Sequence, residues 1–263
     1  MKPITKRGIR APRLPRDLNT QTLSTLDDHA EYIAASISGG ELAKQTAVSV
    51  LFEQVLLRRM NFTQSRLPKL HLLDVQLEAC DLSGVDGEQA RLQRVAFHDC
   101  RLVGAQLLEA RCEDVVFRDC TLESAICASA TFKAVRFENC NLREALFVEA
   151  DLSQAVFRRC DLTRADLRGS RLAGADFRGS IINGMQVGAP ELKGAIIDPD
   201  IYGEPSKIGE VIALGLGKPG FTFAVKVGEK VLLPDMAERG EYVVDGDSFM
   251  ILSESNLLGI LDE

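Results

Sequence analysis

From Phe52 to Ile197 an apolar residue falls on every fifth position with almost no slip. The ladder runs through Leu72, Leu77 and Leu82, continues through Leu92, Phe97, Leu102 and Leu107, and reaches Phe177 and Ile182. Two residues before each centre from Leu77 to Ile182 stands a small or β-branched residue, such as Ala90, Val95, Cys100 or Ala105. A period of five is neither the 3.6 of an amphipathic helix nor the 2 of a half-buried strand, so the run is a repeat and predicts neither element. A longer period of twenty lies over the first. Cys80, Cys100, Cys120, Cys140 and Cys160 form one column and Phe97, Phe117, Phe137, Phe157 and Phe177 another. Val95, Val115 and Val135 form a third column, which Ala155 and Ala175 continue.

Like residues twenty apart stack if four pentads close one turn of a square coil. Each turn then lies on the last at the interstrand spacing of about 4.8 Å, so about seven turns make a rod on the order of 34 Å long. Each central Leu or Phe fills the axis, at roughly 1.5–3 kcal/mol of burial as an upper range. The residue two before it meets a crowded corner and must be small. Gly87, at a central position, is expected to leave its layer short of packing. The AlaAspLeu of 150–152 and 165–167 and the CysAsnLeu of 140–142 resemble the A-[DN]-L-x-x signature of the pentapeptide-repeat family. That resemblance implies a right-handed quadrilateral β-helix over residues 51–200.

The ends of the chain follow different rules. Residues 1–20 set Lys2, Lys6, Arg7, Arg10, Arg13 and Arg16 against Asp17, interleaved with Pro3, Pro12 and Pro15. This composition predicts a basic extended arm with a solvated surface. Residues 21–50 read as an N-terminal cap over the open edge of the coil, either a short helix around Leu26–Ala35 or early irregular coils. After residue 200 the fives stop. Short apolar runs at Gly209–Leu214, Val225–Leu233, Tyr242–Val244, Phe249–Leu252 and Leu257–Leu261 alternate with glycine turns, and the Asp245–Gly246 pair predicts a hairpin.

Residues 209–217, GEVIALGLG, are similar to the G-x-V-x-A-V-G-x-G of the co-chaperonin family (GroES, or chaperonin-10). VKVGEKVLL at 225–233 and FMILSESNLLGILDE at 249–263 are similar to two further motifs of that family, in the same order. The resemblance implies a small, partial GroES-like β-barrel over residues 201–263, and with it a homo-oligomer or a chaperonin ring as partner. Family members begin with a strand that pairs between subunits, followed by a mobile loop that grips the chaperonin. Starting near Gly209, the motifs leave both features unmatched.

Charge and composition narrow the function. Residues 51–200 hold 19 basic and 22 acidic side chains, interspersed, whereas residues 201–263 hold 5 basic and 11 acidic. Some pentapeptide-repeat proteins mimic DNA and inhibit DNA gyrase, a role that needs a continuously negative surface. Arg158, Arg159, Arg164, Arg168, Arg171 and Arg178 interrupt such a surface, which makes gyrase protection the second reading and nucleic acid an unexpected partner. The 263 residues, 46% hydrophobic, suffice for two domains. No apolar run of eighteen predicts a membrane span, and no apolar leader predicts secretion, so a cytoplasmic location is expected. The seven cysteines admit a disulfide or metal reading. Parallel side chains on one column are badly oriented for a bridge, however, and no histidine joins them, so they read as small buried apolar residues.

His29, His71 and His98 stand apart from any nucleophile, and residues 215–220, GLGKPG, lack phosphate-loop spacing. No catalytic, cofactor-binding or metal-binding residue is expected, and no enzyme. The sequence reads as an all-β, non-enzymatic scaffold for protein interaction.

Overall fold

The computed structural model describes residues 8–197 and the backbone of five short strands beyond them. The period of twenty becomes parallel pairing. Strand β2 (Glu31–Ile33) pairs with β4 (Leu51–Glu53), and β3 (Ala35–Ser38) with β5 (Leu56–Arg58). Both β4 and β5 then pair with β6 (His71–Glu78). The long strands β6, β7 (Arg91–His98), β8 (Arg111–Arg118) and β9 (Thr131–Glu138) stack in turn, and β10 (Val156–Arg158) closes the sheet. On the other faces single bridges continue the register as far as Asp176 and Ile196. The result is an all-β solenoid of about seven turns from Phe52 onward, with one more coil ahead of it.

That earlier coil replaces the helix considered for Leu26–Ala35. Tyr32, Ile37, Leu42 and Ala47 keep the period of five, and Tyr32 stacks on Phe52 with ring centroids 4.9 Å apart. A β-branched and aromatic run suits a stacked strand better than an isolated turn of helix. Covering of the first edge falls instead to Leu23, Leu26 and β1 (Asn19–Gln21), which pairs with β3 in a shortened register, Asn19 opposite Ala35. Gln45 ties this lead-in down: its Oε1 accepts from the Leu26 amide at 2.7 Å and its Nε2 donates to the Ser24 carbonyl at 2.9 Å. At the far end α1 (Ala189–Leu192) makes one turn of helix, with Pro190 in the first turn where its missing N–H costs nothing, and Leu192 is buried at the end of the core.

Centres and corner residues are both buried from Phe52 to Ile182, and Met185, Val187, Ala195 and Ile197 are partly buried where the rod ends. Phe97, Phe117, Phe137, Phe157 and Phe177 stack face to face, with centroids 4.6, 4.9, 5.0 and 4.7 Å apart and near-parallel planes. These spacings are the coil spacing itself. Gly87 leaves less space than its missing side chain suggests, because a Cβ there would lie 3.2 Å from Leu107 Cδ2 of the next coil.

Beyond the solenoid, β11 (Ile208–Glu210), β12 (Lys230–Leu232) and β15 (Gly259–Leu261) form an antiparallel sheet with β12 in the middle. Strands β13 (Glu241–Val244) and β14 (Asp247–Met250) pair across Asp245–Gly246, which is the hairpin the Asp-Gly signal predicts. Phe117 sits fully buried between two stacked rings. Phe117→Ala is expected to cost about 3–5 kcal/mol, read as a lower urea midpoint; a loss below ~1 kcal/mol would contradict the stacked core.

Candidate functional site

The four corners of the coil are not alike. Every corner places a residue at positive φ, most of them non-glycine. Most corners of the last two faces are hydrogen-bonded turns, for example Ala105 N to Leu102 O at 3.1 Å and Ala110 N to Leu107 O at 3.2 Å. The Asp or Asn of the signature starts several of these turns by accepting the amide two residues on, as Asp81 does from Ser83 at 2.9 Å and Asp161 from Thr163 at 2.9 Å. At the corner between the first two faces the strand instead continues round the bend, so that β6 to β9 each cover both faces with a left-handed residue at the corner, such as Asp74 at φ 54°. Val75, Val95, Val115 and Val135 follow these extended corners, and β-branched residues favour that geometry. Where the column changes to Ala155 and Ala175 the corner closes into a turn, with Ala155 N donating to Leu152 O at 2.9 Å and Ala175 N to Leu172 O at 2.8 Å.

The extended corners form a seam along the rod carrying Asp74, Arg94 and Asp114 on successive coils. Residues 10–13 of the basic arm lie on it. The Arg10 amide donates to Asp114 Oδ1 at 3.1 Å and its Nε to Oδ2 at 2.6 Å, while Arg10 also reaches Glu113 at 3.4 Å. The Arg13 amide donates to Asp74 Oδ1 at 3.0 Å. Arg94 grips Asp74 with two bonds of 2.6 Å. Both carboxylates are buried, Asp74 at 5% and Asp114 at 2% exposure. A chain passing from Asp114 to Asp74 must cross the coil between them, the one that carries Arg94. The arm is therefore extended, as its composition implies, but it is docked; the expectation of a solvated tail fails because carboxylates placed on alternate coils meet its donors.

Electrostatics bind the arm to pH. Burial alone would raise the Asp74 carboxyl, but hydrogen bonds from Arg94 and the Arg13 amide, with their charges, hold it below the ordinary value. Elsewhere the surface charges are paired, often between neighbouring coils: Arg58 with Glu78, Arg118 with Glu138, Arg171 with Asp151. Four of the six arginines singled out in the sequence, Arg164, Arg168, Arg171 and Arg178, are paired with Glu144, Asp166, Asp151 and Asp176. Exposed pairs of this kind contribute about 0–1 kcal/mol each.

The remaining candidates stay apart. His29 is exposed, while His71 and His98 are half-buried in separate coils; burial first, and Arg91 next, lower the His71 pKa against Glu53. All seven cysteines are buried free thiols, and burial pushes the thiols of Cys112 and Cys127 up, the latter to about 12. Among the described residues no cluster of metal-ligating side chains occurs. Residues 215–220 lie outside the described residues. What the sequence reading missed is the seam, although two signals mark it: aspartates two coils apart on one column, and arginines three residues apart in the arm.

Comparison with known families agrees with the geometry. The pentapeptide repeat region model matches residues 70–145 and 110–187, and the chaperonin 10 Kd subunit model matches residues 185–261. The co-chaperonin GroES of Nitrosomonas eutropha is 37% identical over 73 residues, which is 26% of this chain and 74% of that protein. The chain thus belongs to the chaperonin-10 family through its C-terminal segment, and its solenoid matches the pentapeptide repeat region. Among solved structures it is similar to HetL, a pentapeptide repeat protein of the cyanobacterium Nostoc sp. involved in heterocyst differentiation regulation, at 21% identity, TM-score 0.36, over 69% of this chain and 90% of that one. It is also similar to QnrB1, a plasmid-mediated fluoroquinolone resistance protein, at 13% identity, TM-score 0.32, over 65% of this chain and 90% of that one. The chaperonin-10 match begins inside the last coil, upstream of the motifs at Gly209.

A group held below its unfolded value contributes stability that is complete above that value and drains as pH falls through the folded one. Asp74→Asn should therefore lower the urea midpoint at pH 6, and its difference from wild type should shrink as pH falls below about 3.8. A difference independent of pH would rule out the ionised carboxylate as the anchor.

Proposed function

We propose that the protein is a non-enzymatic scaffold in which the solenoid is a rigid body and the C-terminal segment is a GroES-like β-barrel module that assembles the chain or links it to a chaperonin ring, in the cytoplasm. The observation that carries this reading is the GroES relationship: 37% identity over 73 residues, spanning 74% of a whole co-chaperonin. An antiparallel sheet centred on β12 and the β13–β14 hairpin support a small β-module. The solenoid supports a surface for proteins, since its core is filled by side chains and its outside carries a patchwork of paired charges.

Gyrase protection is the weaker reading. Its requirement is a continuous negative face, and the cross-coil ion pairs along this rod supply the opposite. A supercoiling assay is expected to show no inhibition by micromolar protein, and inhibition would reverse the order of the two readings.

Light scattering on the purified full chain tests the scaffold proposal. A species near seven subunits, which then co-sediments with a chaperonin in the presence of nucleotide, is the expected result. A monomer that fails to co-sediment would remove the chaperonin-linked part.

A further inference from the structure

The seam at the extended corners has the properties of a peptide-binding groove, and its present occupant shows what it selects. Asp74 and Asp114 lie two coils apart, about 9.6 Å at 4.8 Å per coil. Arg10 and Arg13 lie three residues apart, about 10 Å in extended chain at 3.3 Å per residue. The match in length is what lets each buried carboxylate accept a backbone amide of the same segment, at 3.1 and 3.0 Å. Asp114 takes in addition a guanidinium, so it reads one side chain, whereas Asp74, already clasped by Arg94, reads only the backbone. Selection therefore requires an arginine at one end of the segment and a free amide three residues later.

Among the described residues the arm makes no ladder with any strand: residues 8–15 carry no strand or helix, and a bend at Arg16–Asp17 leads to β1. Its Ile9, Pro12 and Leu14 are only half-buried, and Arg13 and Arg16 are exposed. A segment held by two anchors and little apolar area is exchangeable, in contrast to the coils beneath it. We propose that the seam is a docking groove for an extended, arginine-bearing segment of a partner protein, and that the N-terminal arm occupies it in cis until such a segment displaces it. The arm's short tether raises its local concentration, so a partner competes against an intramolecular ligand. This inference stands on the solenoid alone and does not depend on the C-terminal module.

The test uses the full chain and a fluorescent synthetic peptide spanning residues 6–17. Arg10→Glu sets an acid against Asp114 and Glu113 and should release the arm, seen as faster tryptic cleavage at Arg13 and Arg16 and a lower melting temperature, with the β-sheet circular dichroism of the solenoid retained at 25 °C. Fluorescence anisotropy should then show the peptide binding at least ~10-fold more tightly to this variant than to wild type, since a charge-assisted hydrogen bond contributes about 1.5–3 kcal/mol. A peptide carrying alanine in place of its first-anchor arginine should lose that gain, a control that leaves the protein's folding untouched. Adding Asp114→Asn to the variant should lose it as well. Three results would overturn the proposal: no gain in the released variant, equal binding of the alanine peptide, or an arm-exchanged dimer that the peptide fails to dissociate.

Discussion

The whole molecule depends on closure of each coil in twenty residues, because that closure sets every side chain directly over its counterpart one turn earlier at the interstrand distance. A backbone obeying this rule satisfies its hydrogen bonds between coils, as in Arg111 N to Ala90 O at 2.8 Å and Thr131 N to Ala110 O at 2.8 Å. It also forces the interior to be written in columns. A phenylalanine that fits at Phe97 fits at Phe117 and Phe137, since each ring rests on the one before. The same stacking keeps Cys80 to Cys160 as buried thiols whose Sγ atoms lie near backbone carbonyls, such as Cys120 with Arg118 O at 3.1 Å.

Variation enters where closure leaves freedom, which is at the corners. A turn corner with an aspartate or asparagine before it is self-sufficient, its side chain satisfying an amide locally. An extended corner leaves its left-handed residue pointing along the rod, free to be chosen for another purpose. On the coils of β6 to β8 that choice is Asp, Arg, Asp, and the alternation lets one aspartate be neutralised from within the rod by Arg94 and the other by the arm through Arg10. A buried carboxylate without such partners would be costly, so the arm and the seam stabilise each other.

The two family matches meet within the last coil, where α1 interrupts the repeat and the chaperonin-10 match has already begun. Pro190 stands at a corner position, where the small residues of the earlier coils give way to the first turn of α1. The helical turn places Leu192 over the end of the core, and the last bridge of the stack follows at Ile196. The chain joins a solenoid to a segment that matches the chaperonin-10 family from residue 185 to 261.

Period, coil length, register and the core positions from Phe52 to Ile182 were legible in the residues themselves, because a column of stacked side chains repeats its chemistry at fixed sequence intervals. The Asp-Gly hairpin was legible for a related reason, its geometry being local. The first coil was harder to see: Tyr32, Ile37 and Ala47 keep the period while the small and polar residues around them blur it. The docking of the arm was decided by the tertiary structure alone. Arg10 and Asp114 are far apart in sequence, and nothing local to either states that an extended corner, a spacing of two coils and three residues of extended chain coincide in length. Local periodicity is a property of one segment, whereas this contact is a property of two segments whose dimensions agree only once the solenoid has formed.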